Sequence, residues 1–141
     1  MLDEYQDLIE ELLGTPGIVR GAMADGQDAE RVKLVVALHE RDKTALDRIQ
    51  RLNRETSPHF KVLPTFDQAA GAAAIPADVT VLLESFETTR GDLVSLLMNL
   101  TLKDWERTAT HDAGGEVSLV DEVERHVEFD EAFRERFGGY S

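Results

Sequence analysis

The sequence has 141 residues, which predicts a single domain over residues 1–141, large enough to bury an apolar core without a disulfide or metal staple. It contains no cysteine, which excludes disulfides, thiolate metal sites and cysteine nucleophiles. Asp and Glu total 28 against 15 Lys and Arg, so the formal net charge is −13. An acidic surface repels phosphate backbones and anionic lipids, so we expect neither nucleic acid nor membrane as a partner.

The start of the sequence lacks the basic stretch and apolar run of a secretory signal. No segment reaches the ~20 apolar residues that would span a bilayer. We therefore expect a cytoplasmic protein.

The first helix is predicted in two pieces. Apolar residues recur at helical spacing over 2–13, and Gly14 would end this piece. Thr15 and Pro16 then look like the N-cap and first turn of a new helix, where the missing N–H of proline does no harm. This second piece would end at Asp25.

Three longer helices are predicted at 28–53, 78–99 and 118–138. Each begins at an aspartate or serine that can cap its first turn, and each has apolar residues at helical spacing. In the last helix, Ser118 and Asp121 form a variant of the capping box, and a Gly-Gly pair would end the helix.

About two dozen residues, rich in proline, connect the second and third of these four helices. An extended connection of this length can return along the whole bundle, at ~3.3 Å per residue, and start the next helix in the same direction. We therefore predict an all-α fold, a four-helix bundle with up-down-down-up topology. The apolar residues expected to pin the crossover to the bundle are Phe60, Val62, Leu63 and Phe66.

His59 and His111 are predicted in loops, and Trp105 as an apolar plug before the last helix.

Several short motifs occur in an informative order. They are LHERD at 38–42, FDQ at 66–68, LESFETTR at 83–90, WER at 105–107, His111, and GEVSL at 115–119. Together they resemble the DinB-like family of four-helix proteins, which includes thiol-dependent S-transferases. The resemblance covers most of the chain from about residue 30.

This resemblance implies a divalent metal at one end of the bundle, held by three histidines. One would come from the second helix, and two, four residues apart, from the last helix. His39 fits the first position, but the other two positions fall on Phe129 and Phe133, whose rings cannot bind a metal. The resemblance thus implies a member that lacks the usual metal site, and we expect no cofactor.

His126 and Asp130 leave alternatives open, because they lie four residues apart in the middle of the apolar face of the last helix. With His39 they would form a displaced site of two histidines and one carboxylate, suited to zinc, nickel or iron. Alternatively they bond to each other or to Arg90 and fill a metal-free core, because buried charges need partners. We favour this second arrangement. A third possibility is a rotated helix that buries neither residue.

These alternatives lead to three functions. The favoured one is a metal-free protein that binds a small molecule in a pocket at the bundle end. The residues expected to line this pocket are His39, Asp42, Arg90, His126, Phe129, Asp130 and Phe133. The alternatives are a metal-dependent thiol S-transferase or hydrolase that uses His39, His126 and Asp130, and a homodimeric interaction protein. The last would act through its outer faces, where the sequence indicates little contiguous apolar surface.

Overall fold

A computed structural model of the protein describes residues 2–112 and 114–137. The elements within these residues are α1 (Leu2–Asp25), α2 (Ala29–Arg54), β1 (His59–Phe60), α3 (Phe66–Ala72), α4 (Val79–Met98), α5 (Leu102–Trp105), β2 (Thr108–His111), β3 (Glu116–Ser118) and α6 (Leu119–Phe137). The Gly-Gly pair predicted to end the last helix lies outside the described residues. In the described part of the chain, no helix has both the length and the apolar content that crossing a bilayer requires.

Two buried apolar clusters show how the four long helices run. The first cluster contains Leu12 of α1, Ile49 of α2, Leu97 of α4 and Val123 of α6. The second contains Val19, Val35, Phe86 and Phe133 of the same four helices. Along the chain, α1 and α6 pass from the first cluster to the second, while α2 and α4 pass from the second to the first. The predicted up-down-down-up topology is therefore confirmed.

The starts of three helices follow from capping side chains. Asp28 accepts a hydrogen bond from the backbone N–H of Arg31 at 2.9 Å and so begins α2. Asp78 caps α4 in the same way. At α6, Ser118 donates its N–H to Asp121 Oδ2 at 2.9 Å and accepts the N–H of Asp121 at 3.1 Å. The predicted starts of these helices are confirmed within a residue.

The first helix corrects the sequence interpretation, because α1 is continuous through Gly14, Thr15 and Pro16. A proline inside a helix leaves the carbonyl four residues earlier without its N–H partner. Here that carbonyl belongs to Leu12, and it accepts a hydrogen bond from Arg90 Nη1 of α4 at 2.8 Å. A partner supplied by another helix thus allows α1 to continue through the proline.

The crossover is more ordered than the sequence indicates. It contains β1 and the short helix α3, whose cap Thr65 forms a reciprocal capping box with Gln68. Phe60 and Phe66 are buried and fix the crossover to the bundle as predicted. Val62 does not, since its residue surface is 62% exposed.

A small three-stranded sheet accompanies the bundle, which the all-α prediction did not include. Strand β1 pairs parallel with β2, and β2 pairs antiparallel with β3. The turn between β2 and β3 uses Gly114 and Gly115 at φ of 93° and 78°, in the left-handed region that favours glycine. Two histidines predicted in loops lie on these strands: His59 begins β1 and His111 ends β2. Trp105 is buried and stacks on Tyr5 of α1, with ring centroids 4.5 Å apart, so its role as a plug is confirmed.

The cap of α6 can be tested because this helix carries half of the buried polar residues described below. We expect Ser118→Ala to lower the free energy of unfolding by about 1 kcal/mol, the usual loss for a serine N-cap. Urea denaturation measures it. Ser95→Ala, at an exposed position inside α4, is the control and should leave stability unchanged or slightly higher. An equal loss in both variants would contradict the capping role.

Candidate functional site

A group of polar side chains lies at the centre of the bundle, between the two apolar clusters. Asp42 comes from α2, Arg90 from α4, and His126 and Asp130 from α6. None of the four is more than 2% exposed. Charges at this depth are stable only with close partners, so their hydrogen bonds define what the site can do.

Arg90 uses every N–H group that it has. Its Nε and Nη2 donate to the two carboxylate oxygens of Asp42 at 2.9 and 2.7 Å. Its Nη1 and Nη2 donate to the two carboxylate oxygens of Asp130 at 2.8 and 2.9 Å. The second Nη1 hydrogen goes to the carbonyl of Leu12. A guanidinium has five N–H groups, so Arg90 is fully satisfied by three other helices.

His126 joins this group through one ring nitrogen. Its Nε2 lies 2.7 Å from Asp42 Oδ1, and because an ionised carboxylate only accepts, we assign the proton to Nε2. Its Nδ1 is buried and has no hydrogen-bond partner among the described residues. The ring stacks on Phe129 with centroids 6.4 Å apart.

A second layer extends the group to α1. Thr15 donates its hydroxyl to Asp130 Oδ2 at 2.7 Å, and Arg134 Nη2 donates to the Thr15 oxygen at 3.0 Å. The sequence pattern indicates a helix cap at Thr15 and gives no signal for Arg134. The one signal for Thr15 was its place next to Pro16, and this was interpreted as the start of a helix.

The charges of the group stabilise one another. Burial raises the pKa of Asp42, but the hydrogen bond from His126 and the charge of Arg90 outweigh burial and hold that pKa below its ordinary value. Burial lowers the pKa of Arg90, but the charges of Asp130 and Asp42 outweigh it and raise that pKa above its ordinary value. Arg90 is therefore a permanent cation.

The same group has the composition of a metal site. Asp42, His126 and Asp130 each offer a ligand atom, and these atoms lie within 4.8 Å of one another. One imidazole and two carboxylates are suitable ligands for a divalent ion. However, Arg90 Nη2 lies 2.7 Å from an oxygen of Asp42, 2.9 Å from one of Asp130 and 3.5 Å from His126 Nε2. A cationic nitrogen thus contacts all three potential metal ligands. The residues therefore do not fit a metal while Arg90 is in place.

The structure brings Asp42, and not His39, to His126 and Asp130. His39 is half-buried on α2, and its Nε2 lies 3.3 Å from Thr89 Oγ1 of α4. Burial lowers the pKa of His39, and Lys43 adds to this, against the smaller opposing effects of Glu40 and Asp42. The alternative of a displaced site built from His39, His126 and Asp130 is corrected accordingly, because Asp42 and not His39 is the α2 residue that meets Arg90 and His126.

Phe129 and Phe133 pack as core residues. Both contact the ring of Phe66 edge-on, with centroid distances of 4.8 and 6.1 Å. Phe133, like the four polar residues, is almost completely buried. The bundle centre is therefore filled, and the predicted pocket is not a single cavity around these residues.

Open cavities lie beside the filled centre. One of about 420 Å³ lies between α2, the crossover and α6, and Phe129 is part of its wall. Another, of about 490 Å³, lies between α2, the crossover and α4, with His39 in its wall. Two of the residues predicted to line a pocket thus do line cavities.

An apolar groove of about 400 Å³ opens at the other end of the bundle. Its wall includes the exposed side chains of Leu13, Met98 and Leu102, next to Tyr5 and Trp105. The groove combines apolar residues from three separate segments, which sequence patterns within one helix do not reveal. A homodimer stays a prediction.

Comparison with known proteins identifies the fold. The class of fold is a four-helix bundle with a long crossover, the architecture that the resemblance to the DinB-like family implied. The structure is similar to that of YfiT from Bacillus subtilis, described as a probable metal-dependent hydrolase with an unusual four-helix bundle topology. The TM-score is 0.66 at 17% identity, over 98% of this chain and 90% of YfiT. No protein-family model and no curated protein sequence matches the chain.

Removal of the central cation should be costly. We expect Arg90→Met to lower the free energy of unfolding by about 3–5 kcal/mol, because Asp42 and Asp130 would be left buried without it. Chemical denaturation measures the loss. Arg20→Met is the matched control, since Arg20 pairs with Glu87 on the exposed surface and should contribute less than about 1 kcal/mol. Similar losses in the two variants would contradict the central role of Arg90.

The lowered pKa of Asp42 predicts a pH dependence of stability. Ionised Asp42 stabilises the fold above its unfolded-state pKa of about 3.9, and this contribution is lost as the pH falls through the lower native pKa. Below about pH 4 we therefore expect stability to fall more steeply in the wild type than in Asp42→Asn. Denaturation at a series of pH values tests this. Asp47→Asn, at an exposed position of α2, should keep the wild-type slope, and the same slope in Asp42→Asn would refute the assignment.

Proposed function

We propose that this chain is a small-molecule-binding protein of the DinB-like fold, in which Arg90 replaces a divalent metal as the central cation. The observation that carries the proposal is the contact of Arg90 Nη2 with all three potential ligands, Asp42, His126 and Asp130.

A guanidinium in this position favours binding over metal-dependent catalysis. A catalytic metal needs a coordination position open to water or substrate, and Arg90 instead directs every N–H to a protein oxygen. Asp42, His126 and Asp130 thus already have a permanent cationic partner within the protein. What remains open to solvent is the cavity space beside the centre.

The size of the two flanking cavities supports a small-molecule ligand. Their volumes of about 420 and 490 Å³ fall within the range of small-molecule sites, roughly 300–1,000 Å³. Both cavities are bounded by the crossover.

A metal-dependent hydrolase, as YfiT is described, is the second candidate. It is favoured by the three donor side chains within 4.8 Å of one another. It also requires Arg90 to move away from the potential metal ligands, which would break the five hydrogen bonds that Arg90 donates. We therefore rank it below the binding function.

Metal analysis separates the two candidates. We expect wild-type protein purified with added zinc, nickel or iron to hold far less than one equivalent of metal. Arg90→Ala frees the donors, so zinc should raise the melting temperature of this variant and leave that of the wild type unchanged. The double variant Arg90→Ala/His126→Ala is the matched control, and it should lose the response because a ligand is missing.

The opposite result would favour the hydrolase. One tightly bound ion per wild-type chain, lost on His126→Ala, would refute the replacement of the metal by Arg90. If Arg90→Ala does not fold even with zinc, the metal content of the wild type still decides between the candidates.

A further inference from the structure

Arg41 is a partly buried arginine without the partners that the other buried arginines have. Its Nε and Nη1 are shielded from solvent and have no hydrogen-bond partner among the described residues. Its guanidinium carbon lies 5.6 Å from the ring centroid of Phe129, at cation–π distance. By contrast, Arg48 pairs with Glu122 at 3.0 Å, and Arg90 uses all of its N–H groups.

Arg41 lies in the wall of the 420 Å³ cavity between α2, the crossover and α6. The lining residues with charge are Arg41, Arg48, Arg125 and Glu128. Arg48 is paired with Glu122, so Arg41 and Arg125 against Glu128 leave this wall with a small excess of positive charge, in a protein whose net charge is −13. The cavity is therefore a place on this acidic molecule where a small anion would be attracted.

The arginines of this wall differ in what they can offer. Arg48 is already bound to Glu122 and to the carbonyl of Lys61. Arg125 is exposed and makes no ion pair within the part of the chain that the structure describes. Arg41 combines burial with unpaired N–H groups. Because its Nε and Nη1 have no hydrogen-bond partner in the described part of the chain, a ligand can engage them without breaking a hydrogen bond there.

Arg41 stays charged at neutral pH although its surroundings lower its pKa. Burial lowers the pKa of Arg41 to about 10, with Arg48 and Arg125 adding to this and Glu122 and Asp42 opposing it. The side chain is thus a cation at neutral pH, with desolvated N–H groups. A partly desolvated cation whose Nε and Nη1 have no partner among the described residues is unfavourable, and an anionic ligand would relieve that cost.

The rest of the wall is apolar. It includes Val62, Leu63, Pro64, Phe66 and Phe129. Val62, which the sequence predicted as a crossover anchor, is instead an exposed apolar side chain of this wall. A ligand with an apolar group would cover it.

We propose that this cavity binds an organic carboxylate, with its anionic group held by Arg41 and its aryl or alkyl group packed on Phe129 and the crossover. A carboxylate fits because its two oxygens accept parallel hydrogen bonds from a guanidinium. The apolar wall selects against a bare anion such as inorganic phosphate. This inference rests on the proposed small-molecule function and names its ligand class.

Calorimetric titration with phenylbutyrate tests the proposal. Removal of the charge-assisted hydrogen bonds in Arg41→Gln should weaken binding by about tenfold or more. The matched control is Arg54→Gln, which removes the same charge from an exposed position of α2 and should leave the affinity unchanged. Phenylbutanol, which keeps the apolar group without the charge, should bind the wild type more weakly, and so should inorganic phosphate.

Several results would overturn the proposal. These are absence of phenylbutyrate binding to the wild type, the same affinity in Arg41→Gln and wild type, or equal binding of phenylbutanol and phenylbutyrate. If Arg41→Gln fails to fold, the comparison of phenylbutanol with phenylbutyrate on the wild type still decides. Tighter binding of phosphate than of phenylbutyrate would refute the carboxylate assignment.

Failure here is distinguishable from failure of the proposed function. A wild-type protein that holds one metal ion and still binds phenylbutyrate through Arg41 would refute the replacement of the metal alone. A metal-free protein that binds no phenylbutyrate would refute the carboxylate site alone.

Discussion

The guanidinium of Arg90 connects all four long helices of this bundle. From α4 it donates to Asp42 of α2, to Asp130 of α6, and to the Leu12 carbonyl of α1 that Pro16 leaves without a partner. A buried charge tolerates little displacement of its partners, because an unpaired acceptor at this depth is costly. These hydrogen bonds therefore fix how far each of the four helices is shifted along the bundle axis relative to the others.

Arg41 and Arg90 show how the same side chain serves two purposes in one fold. Arg90 has every N–H satisfied within the protein, so it acts as an internal counter-ion that no solute can exchange. Arg41 precedes Asp42 in the chain, yet its Nε and Nη1 have no partner among the described residues. Of these two arginines, it is thus the one in the cavity wall, and not the one at the bundle centre, that keeps N–H groups for a ligand. This is why we propose ligand binding there.

The candidate site could be predicted in part. The spacing of His126 and Asp130 placed both on the buried face of the last helix, and Arg90 followed as their cation because it interrupts the apolar pattern of α4. The sequence could not predict that Asp42, and not His39, contacts Arg90, because the two residues lie nearly a turn apart and either can face the core. The position of α2 along the bundle axis relative to α4 decides which of the two residues contacts Arg90.

Local signals in the sequence determined the starts of α2, α4 and α6, because a capping side chain bonds to backbone within three residues of itself. The length of the crossover determined the helix directions. Tertiary structure alone decided the continuity of α1, because the donor to the Leu12 carbonyl is Arg90, distant in the chain. It also decided the small sheet, whose strands of two to four residues gain their hydrogen bonds only from partners in other segments.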